Sequence, residues 1–261
     1  MDKLNELFSQ SQVIDTETTS RDFKIAEVVQ YASGTWRFDT CVFAIDKDEL
    51  FKPKEPMSPE VCAVHYISNR MVANKPHFDS AVKTIQKELD AFKYIVGHNI
   101  FYDQRVLERY GIKMPATICT MRLAKKLYND DPNITAYNLS YLRYALDLPV
   151  DDNLKAHTAE ADVTVTGSLY TTLVADAIAG GHLNLDGNVS LGEQIVKWLE
   201  EPIFLSVMPF GKHTGKKFNE VPIEYWRWAF ENLPALNENA PEFDKDLAAS
   251  ASKAVEELLG D

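Results

Sequence analysis

Residues 11–19 read Ser11-Gln12-Val13-Ile14-Asp15-Thr16-Glu17-Thr18-Thr19. An apolar pair leads directly into two carboxylates one residue apart. Strand side chains alternate between faces, so Asp15 and Glu17 project from the same face, about 6.5–7 Å apart along the strand axis. That suits two carboxylates converging on hard cations from the end of a strand. An acidic turn after a short edge strand has the same local pattern, so the motif acquires meaning only from partners elsewhere in the chain.

A second cluster lies in residues 95–111, where Ile95-Val96-Gly97-His98-Asn99-Ile100-Phe101-Tyr102-Asp103 reads as a strand, a sharp turn and the start of a short helix. Gly111 supplies the helix stop, because glycine tolerates the left-handed conformation that ends many helices. Asp103, Leu107 and Tyr110 follow the i, i+4, i+7 rule, which puts Asp103 on the stripe that faces inward. A carboxylate there either caps backbone amides or ligates a metal, since a buried ionised carboxylate requires a partner.

The third cluster is Lys155-Ala156-His157-Thr158-Ala159-Glu160-Ala161-Asp162. On one continuous helix a five-residue step turns about 500°, leaving His157 and Asp162 roughly 140° apart. They converge only if His157 precedes the helix and Asp162 lies within it. Thr158 is a suitable N-cap, and apolar residues at helical spacing continue to Ala179.

Taken in this order, Asp15/Glu17, His98-Asn99-x-x-Tyr102-Asp103 and His157-x4-Asp162 resemble the DEDDh (DnaQ-like) superfamily of 3′→5′ exonucleases. Further segments are similar to its exodeoxyribonuclease X branch: residues 57–67, 71–76 and 118–127, then Pro209-Phe210-Gly211-Lys212-x-x-Gly215-Lys216 and Tyr225-Trp226-Arg227-Trp228 near the C-terminus. Two departures stand beside the site. Ser20 follows Thr18-Thr19 where many relatives have glycine, and Tyr102 stands where many have phenylalanine, so its hydroxyl needs a partner.

The resemblance implies a ribonuclease H-like mixed α/β sheet flanked by helices and phosphodiester hydrolysis with two Mg2+ ions, or Mn2+ in their place, about 3.5–4 Å apart. Asp15, Glu17, Asp103 and Asp162 would be the metal ligands, and oxygen donors favour these ions over zinc. His157 would take the proton from the attacking water, its unperturbed pKa lying closest to working pH. Thr18, His65, His98 and Asn99 are the expected substrate contacts. His98 also suits a role in shaping the turn, and His65 and Asn99 could equally be ordinary hydrogen-bonded residues.

Composition bounds the rest. The 261 residues suffice for one sizeable core and a small second unit. Cys41, Cys62 and Cys119 lack CxxC spacing and are odd in number, which fits reduced, mostly buried thiols in the cytoplasm. No apolar run approaches a membrane span, and the polar start lacks a secretory pattern. A formal net charge of −12 is awkward for a partner of DNA 3′ ends, whether single- or double-stranded, so basic residues must be local. Arg122, Lys125 and Lys126 at i, i+3, i+4 form one candidate strip. The other is Gly211-Lys212-His213-Thr214-Gly215-Lys216-Lys217, ahead of Tyr225, Trp226 and Trp228. Three residues separate Gly211 from Gly215, not the four of a P-loop, which argues against triphosphate binding.

Helical patterns fall around 58–64, 79–92, 101–110, 119–128, 138–146, 159–179 and 191–200, and residues 28–45 carry two strands of an antiparallel meander. The expected organisation is a catalytic domain at 1–182, a linker at 183–206 and a small C-terminal domain at 207–261 that could contact DNA. The functional expectation is an exodeoxyribonuclease releasing nucleoside 5′-monophosphates in repair, recombination or turnover. A ribonuclease or proofreading subunit of the same superfamily would use an identical site. A catalytically silent nucleic-acid-binding module is the alternative from another class, but such a descendant usually loses ligands, and all four carboxylates and the histidine are present here.

Overall fold

A computed structural model describes residues 2–37, 42–154, 157–240 and 243–260. Cys41, Lys155 and Ala156, named above, lie outside the described residues. In chain order the elements begin with α1 (Asp2–Ser9), β1 (Ser11–Thr18), β2 (Val28–Arg37), β3 (Val42–Leu50), α2 (Pro59–His65), α3 (Asn69–Val72), α4 (Val82–Leu89) and β4 (Tyr94–Gly97). They continue with α5 (Phe101–Arg109), β5 (Ala116–Cys119), α6 (Thr120–Tyr128), α7 (Leu139–Ala145), α8 (Ala159–Ala179), α9 (Leu191–Glu200), α10 (Ile223–Asn232) and α11 (Lys245–Leu259).

The sheet has the order β3-β2-β1-β4-β5. Its first three strands form the antiparallel meander expected from residues 28–45, while β4 and β5 run parallel to β1. This is the mixed α/β sheet flanked by helices that the pattern of strands and helices implies. Strand β1 is central, which explains why its N-terminal half is apolar or fully buried on both faces: Ser11, Gln12, Val13 and Ile14 are all buried.

On one face Ile14, Val28 and Tyr31 pack with Ile85 and Leu89 of α4 and with Val106 and Leu107 of α5. Each fully buried leucine or isoleucine of that cluster stabilises the fold by about 1.5–3 kcal/mol. Helix α8 packs against β1, β2 and β3. Gly167 permits that approach, because a Cβ there would lie 2.7 Å from the Phe43 ring.

Local differences from the sequence reading have simple causes. The helix expected over 79–92 begins as a 3-10 turn, Phe78–Ser80, and only Val82–Leu89 is α-helical. Helix α1 escaped notice because its N-terminal stretch is polar, yet Leu4, Leu7 and Phe8 fall at helical spacing. Phe8 anchors it with its ring 4.8 Å from that of Trp36. Strand β5 is four residues long, too short to show alternation.

The chain divides into two compact units, one of residues 1–127 and 131–199, the other of residues 128–130 and 200–261. The second unit has its own core, in which Met208, Phe218, Val221 and Trp226 pack with Leu247, Ala251 and Ala254 of α11. Among the described residues no helix is long and apolar enough to cross a membrane.

Candidate active site

The alternation of β1 sorts the site. Odd-numbered residues face α8 and even-numbered ones face α5. Asp15 and Glu17 therefore meet Asp162, on the first turn of α8, and single oxygen atoms of the three carboxylates lie within 4.8 Å of one another. Thr16 meets Asp103, on the first turn of α5, whose Oδ1 accepts hydrogen bonds from the Thr16 amide at 3.0 Å and the Thr16 hydroxyl at 2.6 Å. Asp103 is thus anchored beside the cluster of three and is not one of its members.

Burial raises the pKa of all four carboxyl groups, because water no longer solvates the charge. Asp15 is pushed well above the ordinary range, first by burial and then by repulsion from Asp103, Asp162 and Glu17. Glu17 is pushed up to about 8 by burial, then by Asp162 and Asp103. Asp103 rises only to about 6, since the Thr16 donors and its own backbone amide oppose the burial. Asp162 is raised by burial and held down by the His157 backbone amide and charge. Four carboxyl groups this close resist joint ionisation, and a divalent cation relieves the repulsion. Asp15, Glu17 and Asp162 could hold such an ion, and an all-oxygen donor set suits a hard cation.

The segment before α8 behaves as its geometry requires. Thr158 is the N-cap and accepts from the Ala161 amide, so the helix starts at Ala159 and Asp162 falls within it. His157 precedes the helix at φ 65°, is exposed, and donates its backbone N–H to Asp162 Oδ1 at 3.3 Å. The helix start is tied to the sheet by Gln30, opposite Glu17 in the β1–β2 register, whose Oε1 accepts from the Ala159 amide at 3.1 Å. Buried Arg143 of α7 holds the preceding loop by donating to the carbonyls of Asp151 and Leu154. Sequence reasoning missed Thr16, Gln30 and Arg143. Thr16 is legible in hindsight as the opposite-face residue between two carboxylates, but nothing local marks the other two.

The two departures from the family pattern are bonded to each other. The Tyr102 hydroxyl donates to the Ser20 carbonyl and contacts the Thr18 hydroxyl, which also lies 2.9 Å from that carbonyl. Tyr102 thereby fastens the turn after β1, and half-buried Thr18 is part of the same network. On the β4–α5 turn, His98 has both ring nitrogens engaged, Nδ1 with Thr120 Oγ1 at 3.0 Å and Nε2 with the Tyr137 carbonyl at 2.9 Å. Burial pushes its pKa down to about 4, so the ring is neutral and Nε2 carries the proton. Asn99 follows at φ 61°, a conformation asparagine tolerates, and is exposed. His65, expected at the terminal nucleotide, is 1 % exposed at the end of α2, where its Nδ1 accepts from the Ile67 amide.

Of the two basic candidates, the α6 strip is not solvent-facing. Arg122, Lys125 and Lys126 are all half-buried: Arg122 Nε donates to the Leu199 carbonyl, Lys125 lies over the Tyr137 ring and Lys126 over the Trp198 ring. The α6 spacing puts them together, but neighbouring aromatics cover the stems. In contrast, Lys212, Lys216 and Lys217 are exposed. Cys119 is buried and Cys62 partly so, both as free thiols.

Known proteins resemble this chain in sequence and fold. Residues 12–170 match the family model described as exonuclease (RNase_T). The chain is 28% identical over 233 residues to exodeoxyribonuclease 10 of Escherichia coli (strain K12), spanning 87% of this chain and 93% of that protein. It is 25% identical over 182 residues to DNA polymerase III subunit epsilon of Treponema pallidum (strain Nichols), spanning 64% and 78% respectively. Among solved structures it is similar to exonuclease X in complex with 5′ overhanging duplex DNA, with a TM-score of 0.53 and 26% identity over 72% of this chain and 99% of that one. Escherichia coli exonuclease I with a dA16 oligonucleotide gives a TM-score of 0.51 at 16% identity, over 67% of this chain and 43% of that one, a likeness of fold alone. These neighbours share the ribonuclease H-like sheet, and the matched span runs from the acidic end of β1 through Asp103 and Asp162 into α8; the chain belongs to the exonuclease family.

Proposed function

We propose that the protein is a metal-dependent 3′→5′ exodeoxyribonuclease that releases nucleoside 5′-monophosphates from DNA ends, serving repair, recombination or turnover. The observation that carries this reading is the convergence of Asp15, Glu17 and Asp162 within 4.8 Å, with Asp103 anchored beside them. DNA as substrate rests on the likeness to exodeoxyribonuclease 10 and to an exonuclease X captured with duplex DNA.

In this reading Asp15, Glu17, Asp103 and Asp162 hold two Mg2+ ions, with Mn2+ as a substitute. When bound, such ions activate the attacking water and stabilise the leaving oxygen. The protein's own residues do the remainder. His157, exposed and tied through its backbone to Asp162, takes the proton from the attacking water. Thr16 keeps one Asp103 oxygen oriented by occupying it from behind. Thr18 and Asn99 are the proposed contacts to the terminal nucleotide. His98 acts through the turn it fastens, because both its ring nitrogens are already engaged. We assign His65 to the support of the 57–72 segment, where it is buried. Residues 1–182 form the catalytic domain in this reading, and 207–261 a DNA-contacting unit.

The test is release of mononucleotides from 5′-labelled single-stranded DNA, duplex DNA and matched RNA, with Mg2+ or excess chelator, for the wild type and Asp15→Asn. Stepwise shortening of DNA from its 3′ end that requires both metal and Asp15 is expected. Shortening of RNA alone would make the protein a ribonuclease, and binding without cleavage would leave a silent nucleic-acid-binding module.

A further inference from the structure

The second unit contains a cleft of about 610 Å³ between the 210–212 turn and α10. Phe210, Tyr225, Trp228 and Leu233 line it together with Lys212 and Glu224. Two large aromatic side chains are left open to solvent there, Phe210 at 41% and Trp228 at 48%. Tyr225 and Trp228 sit at i and i+3 on α10 with ring centroids 5.6 Å apart, so they form a continuous aromatic wall. The neighbouring Trp226 faces the opposite way and is buried in the unit's core, which explains why one tryptophan of the pair is structural and the other is not.

The turn that closes the cleft is built to stay in place. Val207 pairs with Lys217, the Met208 amide donates to the Lys216 carbonyl and the Gly215 amide to the Met208 carbonyl. Gly211 and Gly215 both adopt positive φ, 76° and 81°, which only glycine does without strain. The turn holds Lys212 Nζ over the Tyr225 ring, 5.3 Å from its centroid. Three of the six Lys and Arg residues of 200–261 fall within 212–217, and no Asp or Glu lies in that stretch. Among the described residues no carboxylate forms an ion pair with the Lys212, Lys216 or Lys217 ammonium; Glu220 takes only the Lys217 backbone amide. In a chain of net charge −12 this is a local positive spot at the mouth of an aromatic cleft.

We propose that this cleft binds an unpaired nucleotide of single-stranded DNA, its base stacked on Trp228 and Phe210 and its phosphate met by Lys212 and Lys216. The choice of ligand rests on the exonuclease reading above. A volume of this order accommodates one or two nucleotides but no duplex. Aromatic faces take any base, and lysines track the backbone, the combination used for strand binding without sequence preference. Among the described residues Glu224 is the one carboxylate of the lining; it repels phosphate but can accept from an exocyclic base amine.

The experiment uses the full-length chain carrying Asp15→Asn, so that binding is measured without cleavage whether or not the wild type cuts DNA. Fluorescence anisotropy with a labelled single strand and with a blunt hairpin of matched length, closed by a non-nucleotide linker so that it has no unpaired base, is compared for this parent and for added Trp228→Ala, Trp228→Phe or Lys212→Gln. Trp228→Ala is expected to weaken single-strand binding about fivefold or more, Trp228→Phe to restore most of it, and the hairpin to be unaffected. Lys212→Gln is expected to lower the slope of log affinity against log salt by about 0.7. Equal affinity of the parent and Trp228→Ala for the single strand would overturn the proposal, as would an equal loss for strand and hairpin. So would a Trp228→Ala change that alters only the oligomeric state in sedimentation, which would make the cleft a contact between copies. Failure of the exonuclease reading would appear separately, as absent hydrolysis by the wild type.

Discussion

On the face of β1 turned toward α5, Asp103 receives two hydrogen bonds from Thr16, whereas on the face turned toward α8, Asp15, Glu17 and Asp162 bring oxygen atoms within 4.8 Å of one another. The consequence is that burial and its neighbours push the Asp103 carboxyl up only to about 6 but the Glu17 carboxyl up to about 8. Burial penalises both, but donors offset it on one face and like charges add to it on the other. The α5 side is preorganised by the protein itself, and the α8 side could hold a cation.

The largest effect expected from this division is that of Asp15→Asn, which removes a charge at the centre of the repelling group. Metal-dependent hydrolysis should fall to background while circular dichroism shows an unchanged fold; wild-type rates would refute the site. His157→Ala comes next, with kcat lowered by about 10²–10⁴ and substrate affinity little altered if the imidazole takes the proton. An unchanged kcat would remove it from the mechanism.

Two substitutions set the faces against each other. Thr16→Val deletes the hydroxyl bond to buried Asp103 and should destabilise the protein by about 1–3 kcal/mol, read from denaturant melts. Glu17→Gln, measured in chelator at neutral pH, should raise the melting temperature, because it removes a group that the fold must keep protonated well above its ordinary pKa. Shifts of the same sign in both variants would erase the distinction drawn between the faces.

The smallest effect is on pH dependence. In chelator, Glu17 keeps its proton up to about pH 8 in the folded protein but releases it near its ordinary 4.5 when unfolded. The folded state therefore binds the extra proton between those values, so stability should decline as pH rises from about 4.5 toward 8. Saturating Mg2+ should flatten that decline, and an unchanged slope would argue against a cation at the carboxylates.

How much of this was legible beforehand varies with the range of the interaction. Asp15 and Glu17 sharing a face, Thr158 capping α8 and Gly111 ending α5 are consequences of strand and helix periodicity, which operates over a few residues. The Thr16 anchor of Asp103 was not legible: the inward stripe was, and the resemblance made Asp103 a metal ligand, but neither pointed to the Thr16 amide and hydroxyl on one of its oxygens. The α6 basic strip differs from its sequence reading because spacing places Arg122, Lys125 and Lys126 together without saying that the Leu199 carbonyl takes Arg122 and that Lys125 and Lys126 lie over the Tyr137 and Trp198 rings.

From the sequence alone came the acidic motifs, their order, most helices and the mixed sheet, since each depends on local pattern or on likeness spread along the chain. Only the tertiary structure decided which carboxylates meet, because 82 residues lie between β1 and α5 and 49 between α5 and α8, and their approach depends on packing. It also decided that Tyr102 and Ser20, two separate departures from the family pattern, are bonded to each other, and that Trp226 is core while Trp228 is open. Sequence periodicity assigns a side chain to a face; what lies against that face is settled by the rest of the chain.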